Sequence, residues 1–203
     1  AASCWMSMSR NDRHNLLVFF GVVALVVAAA ALWLAMGELT DERIRVTLRR
    51  SADFAFVLFL IVFVARPLQQ LLRKNWTARL LRNRRLIGVA FAAAMTGHLG
   101  LIIYRFTSQA DLDFPPPNFF GYGAYTVFYL MLITSFDVPK KALGPRAWKF
   151  LHRLGLAWAS VIFGLPRSVG DLTDPEYLVF GIPFLIAVLI RVTAWQRSRR
   201  RDN

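Results

Sequence analysis

The chain has 203 residues, 56% of them hydrophobic, with a mean hydropathy of +0.43. Its apolar residues fall in blocks of about 17 or more, the length a bilayer-spanning helix needs, so composition excludes an ordinary water-soluble domain and points to an all-α polytopic membrane protein. The net charge is +13, from 25 Lys and Arg against 12 Asp and Glu. The basic residues lie between the apolar blocks, where they act on topology and on anionic membrane lipid, so no nucleic-acid partner is expected.

In chain order, residues 1–15 form an N-terminal segment that carries Cys4, Arg10, Arg13 and His14. One cysteine permits neither an internal disulfide nor a cysteine-ligated metal site. Arg10 and Arg13 precede the first apolar block as in a signal peptide, but the block is long and lacks a clean small-x-small cleavage site, so it reads as a retained helix. Residues 16–195 hold six expected spans, at about 16–36, 52–72, 86–106, 119–136, 148–165 and 177–195. Arg66-Pro67 interrupts the second span late, and Pro183 lies inside the sixth. Residues 196–203 are a basic tail suited to the inner headgroups.

With the N-terminus inside, nineteen Lys and Arg face the cytoplasm and six face outward. This follows the positive-inside rule and places both termini in the cytoplasm. The segment between the first two spans fits least well, because Arg43, Arg45, Arg49 and Arg50 face outward beside Glu38, Asp41 and Glu42. Asp111 to Pro117 reads as a stiff outer loop.

Two of the three histidines lie in spans. His98 is about 13 residues into the third span, roughly 20 Å deep, and His152 is about 4–7 residues into the fifth, roughly 6–10 Å. An offset of about 10 Å is too large for the two to share one haem iron without strong tilt. His98 belongs to an outer site and His152 to an inner one. Imidazole in a span either hydrogen-bonds across helices or ligates haem. Gly97, Gly100 and Ala94 beside His98 either leave room for a flat macrocycle or allow close helix packing. Arg105, on the same face, either pairs with a haem propionate or snorkels to the headgroups. Met131 and Met95 are further ligand candidates, and methionine also packs. Arg84 and Arg85 lie near the depth of His152 and also serve topology. Asp137 reads as a loop residue. There is no GxGxxG motif, P-loop, Ser-His-Asp pattern or metal-hydrolase spacing.

Arg84-Arg85-Leu86, then Gly88, then His98 ten residues later, resembles the third helix of the ferric-reductase-like transmembrane family. Pro67-Leu68, Thr134-Ser135, Lys140-Lys141, Leu143-Gly144, Trp148-Lys149 and Leu151-His152-Arg153-Leu154 fit the same pattern. The branch it resembles is the MsrQ (or YedZ) type of haem-binding membrane subunit of periplasmic methionine sulfoxide reductase systems. The resemblance implies a six-helix b-type cytochrome of the bacterial inner membrane, with one or two haem b groups. It implies His98 and His152 as axial ligands, with Arg105 and Arg85 as propionate or haem-edge partners. Quinone or FMN is a further implied cofactor. Electrons would come from the quinone pool or a cytosolic flavin reductase and pass to a periplasmic molybdenum-dependent reductase. One position departs: the family's second fifth-helix histidine, about thirteen residues after the first, is Leu165 here, followed by Pro166-Arg167. A diverged, cofactor-free subunit that anchors or assembles a partner is therefore the alternative expectation. A transporter is disfavoured, because no acidic residue lies mid-span and no broken-helix pair is evident.

Overall fold

The structure is a computed structural model that describes residues 9–38, 40–108, 119–168 and 175–202. Among these residues there are helices and turns and no strand. The helices are α1 (Arg10–Ala35), α2 (Asp41–Leu72), α3 (Asn75–Ser108), α4 (Phe119–Ile133), α5 (Asp137–Ala159), a π-helical turn (Ser160–Gly164), α6 (Leu165–Ser168) and α7 (Pro175–Asp202). Four stretches are long and apolar enough to cross a membrane: α1, α2, α3 and Leu178–Arg200 of α7. The described apolar part of α4, Gly123–Ile133, is shorter.

Several helices run past the limits hydropathy suggests, and their caps explain why. Ser9 accepts the Asp12 amide and starts α1 ahead of the apolar block. Thr40 accepts the Arg43 amide, and Asp41 and Glu42 follow in the first turn, where acids suit the helix N-terminus. The Arg43–Arg50 stretch read as a loop is therefore the first turns of α2. Arginine is a good helix former, and no Gly or Pro interrupts the run. At the other end, Arg73 adopts a left-handed conformation (φ 52°) and turns the chain into α3. Thr77, fully buried, ties that turn to Gln69 and to the Lys74 carbonyl. The basic stretch at 140–146 is not an open loop either. It lies in α5, which bends at Gly144 (φ 76°), a left-handed position suited to glycine, just before Pro145. The tail at 196–202 continues α7. The Asp111–Pro117 loop lies outside the described residues.

α3 is the central helix, with α2, α1 and α4 packed on it; α7 lies against α2, and α5 against α4. α1 is peripheral and presents Leu17, Phe20, Leu25 and Leu32 outward, as a lipid-facing helix does. The core is built of phenylalanine. Phe56, Phe59 and Phe63 share one face of α2 and meet Phe91, Phe128, Phe163 and Phe184 from four other segments. Ring centroids of 5.1 Å (Phe91–Phe128) and 5.4 Å (Phe59–Phe63) fall within the favourable aromatic range of about 4.5–7 Å.

Gly164 shows how tightly this core closes, since an added Cβ would meet three Phe184 ring atoms at 2.0–2.4 Å. That ring is itself buried, so it cannot simply swing away. Gly164→Ala is expected to destabilise the folded chain by about 1–3 kcal/mol, as overpacking does. Gly88→Ala, which meets nothing within 4 Å, is the control. Equal melting temperatures of the two variants in detergent would contradict this packing.

Candidate functional site

The ends of α2, α3 and α7 that carry Arg66, Arg84, Arg85 and Arg191 form the basic end of the bundle. A cavity of about 830 Å³ opens there. This lies within the roughly 300–1,000 Å³ typical of cofactor pockets. Phe59, Phe91, Phe128 and Leu156 give it an apolar floor, while Lys140, Lys149 and the arginines line it elsewhere. His152 is in its wall. α5 restarts after Gly144, and two turns later it delivers His152 one turn beyond Trp148. The two rings pack against each other, tilted by 35°, with centroids 4.3 Å apart.

Thr134, where α4 ends, fixes both side chains. Its carbonyl accepts the Trp148 indole N–H at 3.0 Å, and its hydroxyl lies 3.3 Å from His152 Nε2. The hydroxyl hydrogen is directed at the Leu130 carbonyl (2.7 Å), so the hydrogen-bond network assigns the imidazole Nε2–H as the donor to Thr134. At 3.3 Å this bond is long, and giving it up costs about 1 kcal/mol.

His98 sits elsewhere and does not line this cavity. Its Nδ1 lies 2.8 Å from Ser51 Oγ, and Ser51 in turn donates to the Leu48 carbonyl at 2.8 Å. Nδ1–H is therefore assigned as the donor to Ser51, which is the tautomer that leaves the lone pair on Nε2. A hydrogen bond of this kind, made by the ring nitrogen that faces away from the metal, orients most metal-ligating histidines. The levels of the two histidines follow from contacts. Tyr129 of α4 donates to Thr96 of α3, and Gly155 of α5 lies against Met131 of α4. His152 is thus towards the basic end from Thr96, and His98 is away from it. The separation is about seven residues of helix rise, or ~10 Å, and the phenylalanine cluster lies between them. The depth offset expected from the sequence is present.

Of the two glycines beside His98, Gly97 serves packing, whereas a Cβ at Gly100 would meet nothing within 4 Å. A Cβ at Gly97 would meet Val26 of α1 at 2.8 Å, so helix contact fills the space proposed for a macrocycle there. Leu165, at the position of the missing second histidine, follows the π-helical turn and is 56% exposed. The inward position is taken by Phe163, whose ring packs on Phe59, Phe91 and Phe128. Met131 lines the cavity, and Met95 is buried in the core cluster.

Arg105 donates two bonds to Asp41 at the far end, 3.0 and 3.2 Å long, and so joins α3 to the start of α2. Arg85 lies at the basic end and bridges two carboxylates, Asp12 (2.9 Å) and Asp137 (2.9 Å). Asp12 also accepts the Asp137 amide, Ser9 donates to Asp137, and Asn15 donates to the Ser135 carbonyl. One cluster thus clamps α1, α3 and the start of α5. Asp137 belongs to this clamp and is not merely a loop residue. Arg85 Nε is buried without a hydrogen-bond partner, and Arg85 lines the cavity. An orphan donor beside a basic, apolar-floored cavity suits a flat amphipathic ligand that carries carboxylates, which is what a haem is. Among the described residues no group of three or more His, Cys, Asp or Glu is placed to hold a bare metal ion. The clamp's Asp12, Asn15 and Ser9, and the histidine partners Ser51 and Thr134, were not singled out from sequence as site residues.

The Ser9 hydroxyl and then the Arg85 guanidinium hold the Asp137 carboxyl below the usual carboxylate range. A depressed carboxyl contributes stability above its unfolded pKa and loses it as pH falls through the folded value. The melting temperature of the protein is therefore expected to fall in acid below the ordinary carboxylate range, and to fall less in Asp137→Asn. At neutral pH Arg85→Gln, which leaves Asp12 buried and uncompensated, is expected to cost about 1–3 kcal/mol. An unchanged melt in Arg85→Gln would contradict the clamp.

Residues 51–164 match the family described as ferric reductase like transmembrane component. The chain is 26% identical over 182 residues, 84% of its own length and 82% of the relative's, to the protein-methionine-sulfoxide reductase heme-binding subunit MsrQ of Herminiimonas arsenicoxydans. No solved structure matches. The family match spans more than half the chain and takes in most of α2, all of α3, α4 and α5, and both histidines that lie in spans, so this protein belongs to the ferric reductase like transmembrane component family.

Proposed function

We propose that this protein is a haem-binding membrane electron-transfer subunit of the MsrQ type. The observation that carries the reading is the cavity at the basic end: an imidazole in its wall, an apolar aromatic floor, basic side chains around it and an orphan Arg85 N–H. His152 is the ligand at that level. His98, held by Ser51 in the tautomer with its lone pair on Nε2, is the ligand at the other. Arg85 Nε is the haem-edge donor. Arg105, engaged by Asp41, acts there by holding α3 against α2 unless a propionate displaces that carboxylate. Bound haem b supplies one-electron transfer. The protein's part is to orient the ligands, keep the floor dry through Phe59, Phe91 and Phe128, and offset negative charge with guanidinium and ammonium groups.

In this reading the chain crosses the bacterial inner membrane six times with both termini in the cytoplasm, and residues 196–203 lie at the inner headgroups. One or two haem b groups are held. Quinol or a cytosolic flavin reductase, acting through quinone or FMN, is the donor, and a periplasmic molybdenum-dependent reductase is the acceptor. The relative's name, a heme-binding subunit of a methionine sulfoxide reductase, supports the general role. A second reading, a cofactor-free subunit that anchors a partner, has its own support. The exposed Leu165 and the inward Phe163 deny His98 the family's usual partner.

Reduced-minus-oxidised spectra of purified wild type, His98→Ala and His152→Ala separate the two. The haem reading expects a b-type signal in wild type and loss of at least half of it in each variant. A signal that survives both substitutions undiminished would remove these ligands. A folded wild type with no signal would favour the anchoring subunit.

A further inference from the structure

Pro67 lies inside α2, five residues before its end. A proline has no N–H, so the carbonyl four residues earlier, Phe63, loses its helical donor. In this bundle Arg191 of α7 approaches that carbonyl: its Nη1 lies 3.4 Å from Phe63 O, and its guanidinium sits over the Phe63 ring at 4.6 Å. One residue earlier, the Val62 carbonyl accepts Arg84 Nε of α3 at 3.2 Å. Two arginines from two other helices therefore meet α2 carbonyls at one level of the bundle, one of them the carbonyl that Pro67 leaves without its helical donor. Arg66, next to the proline, lies within electrostatic reach of both. Each anchored guanidinium spends one N–H on a carbonyl and keeps others.

The charges around them do not balance. Arg66, Arg84 and Arg191 line the large cavity, and Arg66 also lines a second cavity of about 510 Å³ together with Arg73 and Arg197. No Asp or Glu is among the described residues that line either cavity. Arg84 and Arg191 are half-buried, and guanidiniums so placed beside the exposed Arg66 persist where an anion offsets them. The surroundings indicate which anion. Trp195, at the border of the large cavity, is exposed and carries Arg199 stacked on its ring at 4.3 Å. Tryptophan and arginine in this arrangement mark the membrane–water interface. Above it α7 exposes Leu185, Leu189 and Val192, an apolar face that acyl chains can follow.

We propose that the cleft between α2, α3 and α7 binds the phosphate of an acidic membrane phospholipid through Arg66, Arg84 and Arg191. This site adjoins the one in the haem reading, since Arg66, Arg84 and Arg191 border the same cavity, but it uses neither histidine nor Arg85. It also assigns Pro67 a role, as the residue that frees the carbonyl on which Arg191 docks.

The test is the melting temperature of the delipidated full-length protein in detergent, with added phosphatidylglycerol or cardiolipin, with phosphatidylcholine, and with glycerol phosphate as a soluble phosphate. Acidic lipid near saturation is expected to raise the wild-type value by about 5 °C, and phosphatidylcholine and glycerol phosphate to raise it little. Arg84→Gln with Arg191→Gln is expected to remove most of the rise. Arg66→Gln, an exposed position that carries no risk of misfolding, is expected to reduce it, and the tail variant Arg199→Gln to keep it. The proposal is overturned if phosphatidylcholine acts as well as acidic lipid, if glycerol phosphate replaces the lipid, or if Arg199→Gln loses as much as Arg66→Gln. The readout is independent of haem. Repeating it on His152→Ala therefore separates failure of the lipid site from failure of the haem reading.

Discussion

The two ion pairs of Arg85 are the constraint on which the site depends. One guanidinium takes Asp12 on one side and Asp137 on the other, and with them it holds the start of α1 and the start of α5 against α3. α5 has little else to fix it at that end. It bends at Gly144, and it reaches the core only at Gly155, Leu156 and Ala159. The clamp sets where the helix starts, Thr134 sets the rotation of Trp148 and His152, and the cavity wall follows. The clamp also leaves one Arg85 N–H unsatisfied beside that cavity, so the same residue that builds the site is poised to bind in it.

The bundle is divided by level. The basic end carries His152, the clamp and the anchored arginines. The far end carries His98 on Ser51, and Arg105 on Asp41. Between them phenylalanines from α2, α3, α4, α7 and the π-helical turn pack ring against ring. This aromatic layer leaves no hole beside Leu165, the position at which the resemblance implies a histidine. The inward position belongs to Phe163, and the π-helical turn has carried Leu165 to the outer surface. π-helical turns of this kind are frequent at functional sites. Here one turns Phe163 inward and Leu165 outward.

The sequence disclosed those parts of the structure that depend on local pattern. Apolar blocks of membrane length marked α1, α2, α3 and α7, and residue counts along two helices gave the offset between His98 and His152. Helix extensions were hidden because arginine-rich turns read as loops by hydropathy, whereas Thr40 and Ser9 cap them into helices. The clamp was hidden for a different reason. Asp12 and Asp137 are 125 residues apart and meet only after three helices pack. Asp12 carries no signal of its own in the sequence, and Asp137 reads as a loop residue. Gly97 was read two ways, and only the position of Val26 on the neighbouring helix decides between them. Arg191 and Phe63 are likewise 128 residues apart, so Pro67 could be recognised as a break but not as an anchor for another helix.

A membrane bundle with a basic, apolar-floored cavity beside one histidine, and a second histidine held by Ser51 at another level, is suited to carrying electrons between its two ends. The most direct measurement is a pyridine haemochrome assay on wild-type protein purified from haem-replete cells, expressed per folded chain. The account predicts protohaem in stoichiometric amount, one or two per chain. Folded protein that carries no protohaem would contradict it.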